Sequence, residues 1–84
     1  MKITVIYNPA AGGGREALLC RFVAELEQLG ARVRLYYTTG PNDATRYLNE
    51  LEDQGHCVVA VGGDGTTNEV LNGLAPGVAL GVFA

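Results

Sequence analysis

Residues 62–74, Gly-Gly-Asp-Gly-Thr-Thr-Asn-Glu-Val-Leu-Asn-Gly-Leu, hold the side chains best placed to do chemistry. They follow the apolar run Cys57-Val58-Val59-Ala60-Val61 and lead into a short amphipathic stretch. That order reads as buried strand, glycine turn and helix. Such a turn exposes backbone N–H groups at a helix N-terminus, where an anion can bind. Gly62, Gly63 and Gly65 supply tight backbone dihedrals, and Asp64 puts one acid inside the turn. A carboxylate is poorly placed beside a phosphate unless a cation lies between them. The pattern therefore predicts a nucleotide whose Mg²⁺ is shared with Asp64. Thr66-Thr67-Asn68-Glu69 also has a purely structural reading. Thr-x-x-Glu is a capping box, in which Thr66 bonds the backbone N–H of Glu69 and Glu69 bonds back. On that reading Asp64 is the residue left free for ligand or metal.

A second glycine cluster follows Asn8-Pro9-Ala10-Ala11. Gly12-Gly13-Gly14-Arg15-Glu16-Ala17 formally matches the G-x-G-x-x-A dinucleotide pattern. A dinucleotide site also needs an acid at the end of the second strand, to hold the ribose. That strand ends Tyr36-Tyr37-Thr38-Thr39-Gly40, without one. No Gly-Lys-Ser/Thr follows, so the loop is not a P-loop either. Two readings stay open. Asn8, Pro9, Ala10, Ala11 and Gly12 bring the backbone close to a phosphate, or they form a plain turn between strand and helix. Thr38 closes the second strand at the same edge, where its hydroxyl serves either a nucleotide or a turn. Arg32, Arg34 and Arg46 read as a solvated face, and Tyr36, Tyr37 and Tyr47 as packing residues. His56 lies in a turn without the partners a metal site requires.

These loops need a scaffold, and the rest of the chain describes one. Lys2–Tyr7 is β-branched and aromatic, a strand by composition. A helix is predicted over 15–29, with Leu18, Leu19, Phe22, Val23, Leu26 and Leu29 at three- and four-residue spacing and Gly30 as C-cap. A second strand covers 32–38. A second helix, capped by Asn42 or Asp43, runs to about Asp53 with Ala44, Tyr47, Leu48 and Leu51 on one face. Cys57–Val61 is the third strand, 66–74 a short third helix, and 78–83 the fourth strand. The fold class is α/β, a three-layer Rossmann-like parallel sheet in the order βαβαβαβ. Both glycine-rich loops should reach one ligand, which makes strands one and three neighbours and gives the sheet order 2-1-3-4.

Composition narrows the function classes. The chain has 84 residues, 48% of them hydrophobic, and a net charge of −3. That permits one domain. It gives no broad basic surface, so nucleic acid is not an expected partner. Cys20 and Cys57 fall within apolar patterns and read as reduced core residues of a cytoplasmic protein. The chain stops inside its fourth apolar strand, and the expectation is the first part of a longer protein.

Three segments together resemble the catalytic domain of diacylglycerol kinases, above all the bacterial diacylglycerol and lipid kinases. They are Asn8-Pro9 with its glycine cluster, Thr-Thr-x-Pro-x-Asp-Ala at 38–44, and Gly-Gly-Asp-Gly-Thr-x-Asn-Glu-Val-x-Asn-Gly-Leu at 62–74. The Gly-Gly-Asp-Gly-Thr core is shared with NAD kinases; the extension Asn68-Glu69-Val70-x-Asn72-Gly73-Leu74 points to the lipid kinases. The resemblance implies that residues 1–84 are the N-terminal ATP-binding portion, with a lipid-binding domain, a Gly-Thr-x-Asn-Asp motif and the catalytic base all beyond Ala84. It implies ATP as substrate, Mg²⁺ through Asp64, and ATP contacts from residues 8–12, Thr38 and residues 63–69. It further implies a membrane lipid as acceptor, peripheral contact with the inner face of the membrane through the missing domain, and leaves room for a homodimer. Asn42 stands where relatives often carry glycine, and asparagine tolerates the same left-handed backbone. The competing expectations are an NAD kinase acting on a soluble nucleotide and a non-catalytic nucleotide-binding module.

Overall fold

The computed structural model describes residues 1–10 and 15–83. Its elements run β1 (Lys2–Tyr7), α1 (Glu16–Gln28), β2 (Arg32–Tyr37), α2 (Asp43–Glu50), β3 (Cys57–Val61), α3 (Asp64–Gly73) and β4 (Ala79–Phe83). The strands form one parallel sheet in the order β2-β1-β3-β4, as the loop argument required. Tyr7 lies level with Tyr37 on one side and Val61 on the other, so β1, β2 and β3 end at one edge.

Side chains alternate across the two faces of the sheet, as strand geometry dictates. Ile3, Val5, Tyr7, Val59 and Val61 face α1, where Leu19 is buried and Phe22, Val23 and Leu26 pack alongside. Ile6, Val58 and Ala60 face the opposite way, against Ala44 and Leu48 of α2 and Val70 of α3. The central strands β1 and β3 are therefore buried almost throughout, while the edge strands β2 and β4 have no fully buried residue. Gln54 closes the second layer from below. Its side-chain amide donates to Leu48 O at 3.1 Å and Gly73 O at 2.8 Å, and its carbonyl oxygen accepts from Ala75 N at 2.9 Å. One buried glutamine thus ties together the C-terminal ends of two helices, adding a second donor to Leu48 O, which also accepts from Leu51 N at 3.2 Å. Gly73 lets those helices meet, because a Cβ there would stand 3.0 Å from Leu48 Cβ.

Several expectations need correction. Cys20 is exposed: it follows Leu19 on α1 and points to the outer face, while Cys57 is half-buried. Leu18 and Leu29 are likewise exposed, at 53% and 85%, so the inward stripe of α1 is narrower than its spacing implied. Arg46 is exposed as expected, and it is also paired with Asp43 and Glu50. The tyrosines do pack, Tyr36 on Tyr47 with ring centroids 3.7 Å apart and Tyr37 edge-on to Tyr7 at 5.3 Å. The helix expected from Thr66 begins two residues earlier, at Asp64. Among the described residues no helix is long and apolar enough to cross a membrane.

Candidate functional site

The loops at the C-terminal edge of the sheet build a cleft of about 490 Å³, lined by Asn8, Pro9, Ala10, Thr38, Thr39, Gly40, Pro41 and Glu69. Its first wall leaves β1. Asn8 N donates to Val61 O at 3.0 Å, and Asn8 Oδ1 accepts from Ala10 N at 3.0 Å. The second bond is an Asx-type turn, in which the asparagine side chain replaces a backbone partner and folds the chain back. Ala11 and Gly12, expected to continue this wall, lie outside the described residues.

The opposite wall leaves β2. Thr38 N donates to Tyr7 O at 2.8 Å, extending the ladder one residue past the strand, and Thr38 is nearly buried. Asn42 then adopts the left-handed conformation expected of it, with φ 63°, and starts α2. The next residue, Asp43, is 6% exposed and fully engaged. Its Oδ2 accepts from Tyr36 OH at 2.7 Å, Thr39 N at 2.8 Å and Thr39 Oγ1 at 3.0 Å. Its Oδ1 accepts from the Arg46 guanidinium. The Tyr36 hydrogen bond, then those from Thr39 N and Arg46, hold the Asp43 carboxyl well below the usual carboxylate range despite its burial. The same bond to Asp43 pushes the Tyr36 hydroxyl up.

A carboxyl whose folded pKa is depressed adds stability that is complete above its unfolded value, about 4, and is lost as pH falls through the folded value. Between pH 7 and pH 3 the wild-type protein should therefore lose on the order of 1 kcal/mol more stability than an Asp43→Asn variant. Urea unfolding at the two pH values measures the difference, and equal losses would contradict the geometry.

The third wall is α3. Because the helix begins at Asp64, Gly63 is its N-cap and Thr66 its third residue. The capping box therefore does not form. No side chain caps α3, which leaves the amides of its first turn without a partner inside the helix. Glu69 turns the other way: its Oε1 accepts from Ala44 N at 3.2 Å, and its backbone oxygen accepts from Thr45 Oγ1 at 2.7 Å. It caps α2 across the gap between the helices, at the end where a negative charge is favourable. Thr67 Oγ1 bonds back to Gly63 O at 3.4 Å.

Two details show that the α3 end fits an anion. Thr66 Oγ1 is buried and has no hydrogen-bond partner among the described residues. Gly62 has φ +155° and packs over it: a Cβ here would lie 2.5 Å from Thr66 Oγ1 and 3.4 Å from Asn8 Cβ. Glycine thus keeps the backbone close to a hydroxyl and a row of uncapped N–H groups, as phosphate-binding turns require. Asp64, Gly63, Gly65 and Asn68 are exposed beside this turn, not in the lining of the cleft. No cluster of three or more His, Cys, Asp or Glu that could hold a metal ion occurs among the described residues. Asp64 alone suits a cation that brings its remaining oxygens from a polyphosphate.

Of the expected site residues, then, Asn8, Pro9, Ala10, Thr38 and Glu69 line one cleft. Gly62 and Thr66 stack beneath the adjoining turn. Thr39, Gly40 and Pro41 also line the cleft and were not among the expected site residues, nor was Asp43, which lies behind that wall. The Pro41 turn and the helix-capping acid were both visible in the sequence, but nothing local showed that the turn faces the glycine loops.

A sequence model of the diacylglycerol kinase catalytic domain matches residues 2–84. A Bacillus subtilis (strain 168) protein named diacylglycerol kinase is 41% identical over 76 residues, covering 86% of this chain and 24% of the relative. The diacylglycerol kinase of Staphylococcus saprophyticus is 38% identical over 73 residues, covering 84% and 24%. A solved structure from Bacillus anthracis str. Sterne, assigned as a diacylglycerol kinase, superposes with a TM-score of 0.74 at 29% identity. It covers 96% of this chain and 31% of that one. The chain thus spans about a quarter of the length of the curated relatives it matches.

Proposed function

Because the chain belongs to the diacylglycerol kinase catalytic domain family, we propose that it supplies the ATP-binding part of a longer lipid kinase. The reaction moves the γ-phosphoryl group of ATP to a lipid hydroxyl such as that of diacylglycerol. The hydroxyl oxygen forms a bond to Pγ, the bond from Pγ to the β,γ-bridging oxygen breaks, and ADP leaves. The hydroxyl proton goes to a base carried by another part of the kinase.

The observation that carries this reading is the glycine turn at 62–65, with its uncapped helix and the orphaned hydroxyl of Thr66 beneath Gly62. In this account the amides of 63–66 and the Thr66 hydroxyl bind the phosphates. Asp64 shares the Mg²⁺ that ATP brings, and that ion neutralises charge on the transferring group. Asn8, Pro9, Ala10 and Thr38 line the cleft that receives the rest of the nucleotide. The kinase works at the inner face of the membrane through its lipid-binding domain, and the 84-residue chain alone does not turn over.

Isothermal titration of Mg-ATP into the intact kinase tests the donor half of the assignment. Saturable binding that weakens at least tenfold in a Thr66→Val variant is expected, since that change leaves the shape and removes the hydroxyl. Binding indifferent to Thr66→Val would remove the turn from the phosphate site.

A further inference from the structure

We infer that Asp43 is a positioning residue for the nucleotide, acting through a clasp that sets the Thr38 wall of the cleft. This rests on the assignment of the cleft to ATP, and it gives a role to a residue that does not line the cleft.

One carboxylate oxygen of Asp43 accepts both donors of Thr39, the N–H at 2.8 Å and the hydroxyl at 3.0 Å. Asp43 N donates in return to Gly40 O at 3.3 Å. The turn between β2 and α2 is thereby closed on itself. Two neighbouring threonines take different parts in it. Thr39 spends its donors on Asp43, whereas Thr38 keeps its backbone on Tyr7 O and its hydroxyl makes no hydrogen bond among the described residues. The clasp thus holds Thr39 down and presents Thr38 to the cleft. It is braced on its far side: Tyr36 OH donates to the same oxygen that holds Thr39, and Glu69 fixes the first turn of α2 from α3. Losing the Thr39 bonds would leave the turn between Thr38 and α2 held by Thr38 N on Tyr7 O and Asp43 N on Gly40 O. A loop that must be ordered at the moment of binding weakens affinity without changing the chemistry that follows.

Arg46 separates positioning from simple stability. It donates to the other carboxylate oxygen, to the exposed Glu50 and to the Tyr36 hydroxyl, and among the described residues makes no bond to Thr39. Arg46→Met should lower stability and leave the clasp in place. The test measures the dissociation constant of Mg-ATP, its KM and kcat, and Tm for the intact kinase. Asp43→Ala is expected to raise the dissociation constant and KM for ATP about tenfold or more, with kcat within about threefold of wild type. Arg46→Met is expected to lower Tm and to keep the wild-type KM. Should Asp43→Ala fail to fold, Asp43→Asn carries the test: with a weaker, uncharged acceptor facing Thr39, it should raise KM by about threefold. An unchanged KM in the folded Asp43 variant, or an equal rise in Arg46→Met, overturns the clasp. Wild-type protein that binds no ATP overturns the nucleotide assignment and the clasp with it.

Discussion

Replacing Asp64 by alanine is expected to abolish phosphoryl transfer in the proposed full-length kinase and to leave its fold intact. Both halves follow from position. Asp64 is exposed at the first residue of α3 and makes no hydrogen bond or ion pair among the described residues. Its removal therefore costs the structure only the favourable charge at a helix N-terminus, about 0.3–1 kcal/mol. The fold needs no carboxylate here, and one beside a phosphate turn is useful only with a cation. Loss of a group that stabilises transition-state charge lowers kcat by about a hundredfold to a thousandfold, and loss of a metal contact belongs at the upper end of that range. The check is kcat beside a thermal melt for wild type and Asp64→Ala. A melt that falls steeply, or a kcat near wild type, would contradict the role.

The second large effect lies two residues earlier. Gly62→Ala should destabilise the protein by about 1–3 kcal/mol and remove its affinity for ATP. A new Cβ meets Thr66 Oγ1 at 2.5 Å and Thr66 Cβ at 3.0 Å, and the φ of +155° is one that residues with a side chain rarely adopt. The turn has no room to yield, because Asn8 borders Gly62 on one side and Val61 O is held by Asn8 N on the other. Relief has to come from shifting the first turn of α3, the part that would hold phosphate. Urea unfolding with and without saturating Mg-ATP separates the two consequences. Wild type should gain stability from the nucleotide by mass action, and Gly62→Ala should gain none. Equal gains would place the phosphates elsewhere.

Much of this arrangement was legible in the chain. The β-branched and aromatic stretch Lys2–Tyr7 and the apolar run Cys57–Val61 marked strands, and the alternation from Arg32 marked an edge. The demand that two glycine loops share one ligand then gave the sheet order found. The capping box misled for a physical reason. Thr-x-x-Glu scores well wherever a helix starts at the threonine, but Gly63 adopts an extended conformation that starts α3 at Asp64. Glu69 was thereby freed to serve α2, 25 residues away in sequence. Asp43 was legible as a helix cap and not as a clasp, because its partners Tyr36 and Arg46 meet only once β2 and α2 pack. Cys20 and Leu18 misled in the opposite sense: apolar spacing on α1 is wider than the single sheet face it covers.

Transfer of labelled phosphate from [γ-³²P]ATP by the intact protein tests the central claim most directly. Diacylglycerol in mixed micelles and NAD should be offered side by side as acceptors. The assignment predicts label in phosphatidic acid, dependent on Mg²⁺ and absent in Asp64→Ala, with none in NADP. Label in NADP alone, or none in either acceptor from protein that binds ATP, would contradict it.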